Sequence, residues 1–267
     1  MLFFTDLGRV HHRKGYQIPE ASRTARGTAI VNVLPLEPGE KVTAMVTTRQ
    51  FQPDEYLMMV TRNGTIKRIP FIALKTNRKG GIRAITLEEG DQLINVIRTG
   101  GNDNVVLATR EGMAICFNEN DVRPMGRDAA GVRGILLTGD DYVVGAQRYD
   151  ESKTLLTVTE KGYGKRTELT EYLRTGTDGE KIPQGRGGKG LKNYNITEKT
   201  GFVAGCCIVG ETDDVMVIEN GGVIIRIPAS SINLYKRDVQ GVIVMRIEEG
   251  NQVVSIEAVE NTAEEEA

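Results

Sequence analysis

A unit of roughly fifty residues recurs five times along this chain, over residues 2–50, 56–100, 104–149, 154–210 and 214–259. Each copy begins with a short hydrophobic run, a glycine turn and a basic exit. The turn glycines are Gly8, Gly64, Gly112, Gly162 and Gly222. A fixed period of this length built from strands is typical of small sheets arranged as the blades of a β-propeller.

The second half of each repeat predicts further strands. A glycine precedes a hydrophobic run, an acidic turn holds another glycine, and a return strand follows, as between Gly241 and Ile256 around Gly250. The runs are rich in Val, Ile, Leu and Met, which favours half-buried antiparallel strands. We therefore predict one all-β domain over residues 1–259, with about five visible four-stranded blades.

Composition supports one repetitive β body. The 267 residues include 31 Gly and no Trp, so the core is expected to be aliphatic and the turns numerous. No run approaches the length of a membrane span, and the start lacks the features of a signal peptide, so a cytoplasmic protein without membrane contact is expected. Cys116, Cys206 and Cys207 are predicted to be buried thiols. No metal or cofactor is expected, and residues 260–267 are interpreted as a disordered acidic tail.

The formal net charge of −2 hides a periodic separation of charge. Acidic residues occupy the hairpin turns. Basic residues instead precede the glycine that begins the second half of each repeat, namely Gly27, Gly81, Gly131, Gly190 and Gly241. We expect a positive rim suited to the phosphate backbone of DNA, although a solvated surface of mixed charge would explain any single loop. The rim-loop candidates are Arg23, Arg26, Arg78, Lys79, Arg123, Arg127, Lys236 and Arg237.

The sharpest local motif has three interpretations. It matches the G-x-G-x-x-G dinucleotide pattern, but no hydrophobic strand precedes it and no helix follows, so that interpretation fails. A flexible glycine loop remains possible. The third interpretation is a DNA-contacting loop whose cations pair with phosphates while its glycines remove steric bulk. The motif consists of Gln184, Gly185, Arg186, Gly187, Gly188, Lys189 and Gly190.

Two neighbouring histidines, His11 and His12, lie in the first repeat. Adjacent residues of a strand point to opposite faces, so the pair is poorly placed to share a metal ion. A surface role is predicted for both.

From Leu2 to Val259 the chain resembles the C-terminal DNA-wrapping domain of the A subunit of bacterial DNA gyrase. The resemblance rests on the segments 16–23, 27–36, 121–127, 162–167 and 240–242, and on the motif at 184–190, which is similar to the gyrase A box Q-[RK]-R-G-G-[RK]-G. It implies a β-pinwheel, a propeller-like disc whose blades exchange strands, which binds and bends duplex DNA around its positive edge. It also implies two partners besides double-stranded DNA, the remainder of the gyrase A subunit and the gyrase B subunit, with the domain itself monomeric.

Two departures qualify the resemblance. The family typically has six blades with the box in the first, whereas five repeats are visible here and the box-like motif lies in the fourth. Gly185 also stands where the family carries a cation. The expectation is therefore that a first blade with the principal box is missing and that the motif is a secondary copy.

Alternatives remain open at this stage. The A subunit of topoisomerase IV has a related domain, and a propeller could instead be a protein-interaction platform. No constellation of catalytic residues is visible, so no catalytic role is assigned to the chain itself. If the resemblance holds, the chain is part of an ATP-dependent type II DNA topoisomerase. Its expected role is non-catalytic, namely wrapping DNA around the basic rim to support supercoiling.

Overall fold

The computed structural model describes residues 1–22, 24–78 and 80–260, which form two compact units. The first unit contains Met1–Asn102 and Val122–Val132, and the second contains Asp103–Asp121 together with the residues from Arg133 onward. The strands, in chain order, are β1 (Leu2–Thr5), β2 (Arg9–His12), β3 (Val42–Val46), β4 (Tyr56–Thr61), β5 (Thr65–Pro70), β6 (Ile82–Arg83), β7 (Leu93–Thr99), β8 (Asn104–Thr109), β9 (Met113–Asn118), β10 (Val132–Arg133), β11 (Val143–Arg148), β12 (Thr154–Thr159), β13 (Tyr163–Glu168), β14 (Arg174–Thr175), β15 (Lys181–Ile182), β16 (Leu191–Lys192), β17 (Val203–Val209), β18 (Asp214–Glu219), β19 (Ile224–Pro228), β20 (Val242–Ile243) and β21 (Val253–Val259).

In the part of the chain that the structure describes, helical structure is limited to single 3-10 turns. They span Gly15–Gln17, Ile30–Asn32, Phe71–Leu74, Glu119–Asp121, Leu169–Tyr172 and Ala229–Ser231. Within the described residues no helix has the length and apolar character needed to cross a membrane.

The first unit contains two four-stranded antiparallel sheets. Their strand orders are β3-β1-β2-β6 and β10-β5-β4-β7. In each sheet the central hairpin comes from one repeat, while a two-residue outer strand comes from the next repeat. The core is aliphatic with a few aromatic rings, since Leu57, Met59, Ile69 and Phe71 are fully buried.

The second unit contains three sheets of the same plan and a small ribbon. The strand orders are β11-β8-β9-β16, β17-β12-β13-β20 and β19-β18-β21, and β14 pairs with β15. The third of these sheets has three strands rather than the four expected from the sequence. The sheet β17-β12-β13-β20 packs its Leu156, Val158 and Cys207 against Val217 and Ile256 of this three-stranded sheet.

The repeated structure explains why these segments form strands. Along β4 and β12 nearly every residue is buried, because each strand lies in the middle of its sheet and is covered on both faces. The hairpin turns use glycine at positive φ, such as 80° at Gly64 and 83° at Gly112. The all-β fold class and the five blade-like sheets are confirmed. The division into a single domain over 1–259 remains a prediction.

Strand exchange changes one detail of the predicted repeats. The repeats were predicted to form about five four-stranded blades, but the fourth strand of a sheet comes from the next repeat: Ile82, Val132, Leu191 and Val242 all pair with the preceding hairpin. The exchange agrees with the pinwheel that the resemblance implied. In the first repeat the corresponding run, after Gly27, is not a strand but a 3-10 turn at Ile30–Asn32.

Candidate nucleic-acid interface

The box-like loop follows β15 in the second unit and lies along β9. The backbone N–H of Gln184 donates to the carbonyl oxygen of Cys116 at 2.7 Å, and its side-chain Nε2 donates to the carbonyl oxygen of Tyr172 at 3.0 Å. Gln184 also forms an isolated parallel bridge with Phe117. The first residue of the motif therefore fixes the loop to the sheet.

Arg186 is held by the backbone but keeps its charge toward solvent. Its Nε donates to the carbonyl oxygen of Asp121 at 2.8 Å and its Nη1 to that of Arg133 at 3.0 Å, while the side chain remains exposed. The next residue, Gly187, donates its N–H to the carbonyl oxygen of Gly134 at 2.6 Å. Carbonyl partners orient a guanidinium without neutralising it, so the cation remains available to an anion.

The glycines of this loop differ in what surrounds them. Gly190 has φ +74°, and a Cβ atom there would overlap the carbonyl oxygen of Ala114 in β9. Gly185, by contrast, has open space around it. The neighbouring Lys189 is exposed. Glycine is thus required at position 190 by close strand packing, whereas at 185 a larger residue would fit.

Two lysines that were not singled out in the sequence are buried and hydrogen-bond to the backbone of other basic loops. In the first unit Lys67 is fully buried and its Nζ donates to the carbonyl oxygens of Ala84 at 2.7 Å and Arg127 at 2.6 Å. Burial lowers the pKa of Lys67 to about 8. The lysine therefore fixes the backbone of Arg127, whose own side chain is exposed.

Lys165 occupies the equivalent place in the second unit. It too is fully buried, and its Nζ donates to the carbonyl oxygens of Lys236 at 2.7 Å and Arg237 at 2.5 Å. Burial lowers the pKa of Lys165 to about 7, against an ordinary value of 10.5. Its Nζ also lies 5.2 Å from the centroid of the Tyr194 ring. Both buried lysines stand three residues after a hairpin glycine, Gly64 or Gly162, and this spacing was the available sequence signal.

Parallel contacts along the strands complete the attachment of these loops. In the first unit the N–H of Met125 donates to the carbonyl oxygen of Arg68 at 2.8 Å. In the second unit the N–H of Tyr235 donates to the carbonyl oxygen of Arg166 at 2.8 Å, and Nη1 of Arg237 donates to the carbonyl oxygen of Lys192 at 2.9 Å. The last bond links the Lys236 and Arg237 loop to the strand that follows the box-like loop.

The predicted cations are mostly on the surface. Arg237 is half-buried, while Arg23 and Lys79 lie outside the described residues. The exposed members are Arg26, Arg78, Arg123, Arg127, Arg186, Lys189 and Lys236. Their exposure allows contact with an anionic partner, and a role in DNA binding remains a proposal.

The acidic turns have a structural function that the charge pattern alone did not indicate. Asp91 Oδ1 accepts hydrogen bonds from the backbone N–H of Asn63 at 2.9 Å and of Gln92 at 2.8 Å. Asp141 Oδ1 binds the N–H of Glu111 and of Tyr142 in the same way, at 2.9 and 2.8 Å. These carboxylates tie one hairpin turn to another, so part of the negative charge is committed to turn geometry rather than to the open surface.

His11 corrects the prediction of a surface histidine. It is fully buried at the position equivalent to Lys67 and Lys165, and neither ring nitrogen has a hydrogen-bond partner among the described residues. Nε2 lies 3.9 Å from Glu40 Oε1. Burial, helped by the charge of Arg9, lowers the pKa of His11. Strand alternation correctly separated His11 from His12, but it did not show that the outer strand β6 would cover His11.

The remaining predictions on reactive groups concern cysteine and metals. Cys116, Cys206 and Cys207 are buried free thiols, as predicted, and burial raises the pKa of Cys116 and of Cys206 to about 12. Among the described residues no group of three or more His, Cys, Asp or Glu side chains is placed to hold a metal ion. The acidic tail lies outside the described residues beyond Glu260.

Comparison with known families gives a match along the whole repeat region. The family model described as "DNA gyrase C-terminal domain, beta-propeller" matches residues 1–49, 55–99, 103–150, 153–182, 177–206 and 213–260. The DNA gyrase A subunit of Haloquadratum walsbyi is 42% identical over 263 residues, covering 96% of this chain and 30% of that protein. The corresponding protein of Escherichia coli K12 is 39% identical over 266 residues, covering 100% of this chain and 29% of the relative. The chain thus spans less than a third of these relatives.

Solved structures show the same fold. The C-terminal domain of a DNA topoisomerase IV superposes with a TM-score of 0.86 at 26% identity, covering 97% of this chain and 78% of that one. A DNA gyrase A C-terminal domain superposes with a TM-score of 0.80 at 23% identity, covering 97% of this chain and 81% of that one.

Proposed function

Because this chain belongs to the DNA gyrase C-terminal domain family, we propose that it binds duplex DNA through its basic loops and bends it, so that a type IIA topoisomerase can supercoil it. The observation that carries the proposal is the repeated loop design. In the first unit Lys67 holds the backbone carbonyl of Arg127, and in the second unit the backbone N–H of Gln184 and the guanidinium of Arg186 hold the box-like loop to carbonyl oxygens of Cys116 and Asp121. In both loops the arginine side chain itself is exposed to solvent.

The chemistry of such loops suits the phosphate backbone. Exposed Lys and Arg side chains displace condensed counterions from DNA, and each phosphate contact makes binding more sensitive to salt. The described chain presents no helix long enough to enter a groove, and its outward cations are spread over separate loops. Binding is therefore proposed to be largely independent of sequence, since phosphate contacts position DNA but do not read bases.

Bending requires several contacts rather than one strong contact. Smoothly bending 20–30 base pairs by 40–90° costs on the order of 1–6 kcal/mol. The loop held by Lys165 has little freedom to lose on binding, because two of its carbonyl groups are already hydrogen-bonded to the buried Nζ, and Lys67 holds the Arg127 loop in the same way through one carbonyl group. We infer that the basic loops offset the bending cost through many preorganised contacts.

The proposal extends to the whole enzyme. The chain would act as a non-catalytic part of an ATP-dependent DNA topoisomerase, with the remainder of the gyrase A subunit and the gyrase B subunit as partners. By wrapping DNA it would present a distant segment to the cleavage machinery with a fixed crossing sign. A role on chromosomal DNA also implies a cytoplasmic location.

A second candidate is a topoisomerase IV function. The high TM-score to a topoisomerase IV domain favours it, whereas the gyrase A relatives at about 40% identity favour gyrase. We place the chain with gyrase because the relatives with the higher identity are gyrase subunits. The interaction-platform alternative predicts no DNA affinity and is tested by the same experiment.

The experiment is a salt titration of DNA affinity measured by fluorescence anisotropy on a labelled linear duplex. We expect wild-type binding to weaken linearly in log affinity against log salt. In the variant Lys236→Ala with Arg237→Ala the slope should fall by about 0.9 for each phosphate that the variant no longer neutralises. A control with equal charge loss is Lys41→Ala with Lys199→Ala, two exposed lysines outside the basic loops, which should leave the slope near that of wild type. Absence of DNA binding, or equal slopes for the two double variants, would refute the proposal.

A further inference from the structure

The repeat that carries the box-like loop has a buried tyrosine where the other repeats have an aliphatic residue. This residue is Tyr172, which stands ten residues after the hairpin glycine Gly162 and is fully buried. At the same distance from their hairpin glycines, the other repeats carry Ile18, Leu74, Val122 and Ile232, the last three only 0 to 2% exposed. A buried hydroxyl costs free energy unless it is hydrogen-bonded, so the tyrosine needs a partner.

The partners of Tyr172 break the apolar pattern in the same repeat. Its hydroxyl donates to Oδ1 of Asn193 at 2.5 Å, and Nδ2 of Asn193 donates to Oγ1 of Thr157 at 3.3 Å. Asn193 and Thr157 are both buried. Their equivalents in the other repeats have no polar side chain: they are Ile30, Ala84, Gly134 and Val244 for Asn193, and Phe3, Met59, Leu107 and Val217 for Thr157. Thr157, Tyr172 and Asn193 therefore form a polar cluster whose members hydrogen-bond one another.

Tyr172 ties together the two ends of the box-like loop. Its backbone carbonyl oxygen accepts a hydrogen bond from Nε2 of Gln184, the first residue of the loop, at 3.0 Å. Its hydroxyl binds Asn193, which follows the last loop residue, Gly190, by three positions. The backbone N–H of Asn193 also donates to the carbonyl oxygen of Gly112 at 2.7 Å. One buried residue thus holds both the chain that enters the loop and the chain that leaves it.

The segment that leaves the box-like loop also holds the loop of Lys236 and Arg237. The hydroxyl of the buried Tyr194, next to Asn193, donates to the carbonyl oxygen of Gln240 at the end of that loop. In the other direction, Nη1 of Arg237 donates to the carbonyl oxygen of the segment's Lys192 at 2.9 Å. A chain of hydrogen bonds through this segment therefore connects the two basic loops.

We propose that Tyr172 and Asn193 are positioning residues that fix the spacing of these two basic loops, so that both loops contact the same DNA duplex. The inference rests on the proposed function, because it requires that the loops bind DNA. The two loops are then linked contacts, and the second contact forms at a high effective concentration once the first has formed. Loss of the bond between Tyr172 and Asn193 keeps every cation but lowers that effective concentration.

A directional bond suits this role better than apolar packing does. A buried hydrogen bond has a defined distance and angle, and a fully satisfied polar network makes a core rigid and specifies one arrangement. The other repeats form the same kind of core with aliphatic side chains at these places, so the polar cluster is not needed to build a sheet. Its presence in the repeat that carries the box-like loop assigns it to the orientation of that loop.

The test replaces the whole polar cluster by apolar residues of similar volume, with Thr157→Val, Tyr172→Phe and Asn193→Val combined in the full chain. Because no member of the cluster is left unpaired, urea melts should show a stability close to that of wild type. In fluorescence anisotropy on a labelled linear duplex, the triple variant should bind about fivefold more weakly, since the two loops are no longer held at a fixed spacing. Tyr149→Phe, at a partly buried tyrosine of the same core, is the control and should leave the affinity unchanged.

A second background separates positioning from a local defect of the box-like loop. Lys236→Glu, at an exposed lysine, removes a phosphate contact of the other loop. In a chain that already carries Lys236→Glu, the triple change should alter the affinity by less than about twofold, because only one loop is left to bind. Tyr172→Phe alone, in the same two backgrounds, gives the same comparison if the triple variant does not fold. An equal loss in both backgrounds, or no loss in either, would overturn the positioning role while leaving DNA binding intact; a wild type that does not bind DNA would overturn the proposed function and this role together.

Discussion

Replacing Lys165 by Met should flatten the pH dependence of stability at alkaline pH. The lysine is fully buried with a pKa of about 7, while an unfolded chain holds its lysines near 10.5. Between these values the unfolded state binds more protons than the folded state, so the free energy of unfolding of wild type rises with pH. Methionine does not titrate and removes this contribution.

The magnitude follows from the separation of the two pKa values. One proton of difference changes the free energy of unfolding by about 1.4 kcal/mol per pH unit. Between pH 7.5 and 9.5 the difference between wild type and Lys165→Met should therefore grow by about 2 kcal/mol. Near neutral pH the difference in the free energy of unfolding between wild type and Lys165→Met is less informative. Losing the hydrogen bonds from Lys165 Nζ to the carbonyl oxygens of Lys236 and Arg237 lowers stability, while removing a buried charge raises it.

The assay is urea unfolding followed by far-ultraviolet circular dichroism, since the chain has no Trp to report by fluorescence. Lys189→Met is the control, because this lysine is exposed and its removal should leave the pH dependence unchanged. Parallel pH profiles for wild type and Lys165→Met would refute the assignment of a low-pKa buried lysine under the basic loop.

Two further predictions concern the box-like loop. Gly190→Ala should lower the free energy of unfolding by about 2–4 kcal/mol, because φ is +74° and a Cβ would overlap the carbonyl oxygen of Ala114. Gly250→Ala, with φ +88° in open space, should cost only about 1 kcal/mol, and equal losses in urea melts would contradict the packing argument. Arg186→Ala with Lys189→Ala should reduce DNA bending, seen by fluorescence energy transfer, more than affinity, and unchanged bending would remove the loop from the interface.

Much of the fold could be predicted from the sequence because the turn chemistry is repeated. Gly64, Gly112 and Gly162 each recur at the same place between two hydrophobic runs, so hairpins could be placed without any long-range information. Strand exchange could not be derived from the same local pattern. A two-residue strand such as Leu191–Lys192 looks the same whether it completes its own sheet or the preceding one, and only contacts distant in sequence decide between them.

The sequence predicted the exposed basic residues of the candidate interface but not the buried lysines that hold their loops in place. Cations such as Arg127 and Lys236 were predicted from their recurring position before the glycine of each repeat's second half, and both side chains are exposed. Lys67 and Lys165 are each followed by an arginine in their strands, where a lysine is ordinarily expected at the surface. Their burial depends on the loop of the next repeat folding over them, and their two carbonyl partners are 17 to 72 residues away.

The central claim is that the chain bends duplex DNA through phosphate contacts. Fluorescence energy transfer across a short, end-labelled linear duplex tests it directly when the domain is added at several salt concentrations. We predict that transfer increases on binding and that the increase fades steeply as salt rises. Binding without any change in transfer, or transfer that salt does not diminish, would contradict it.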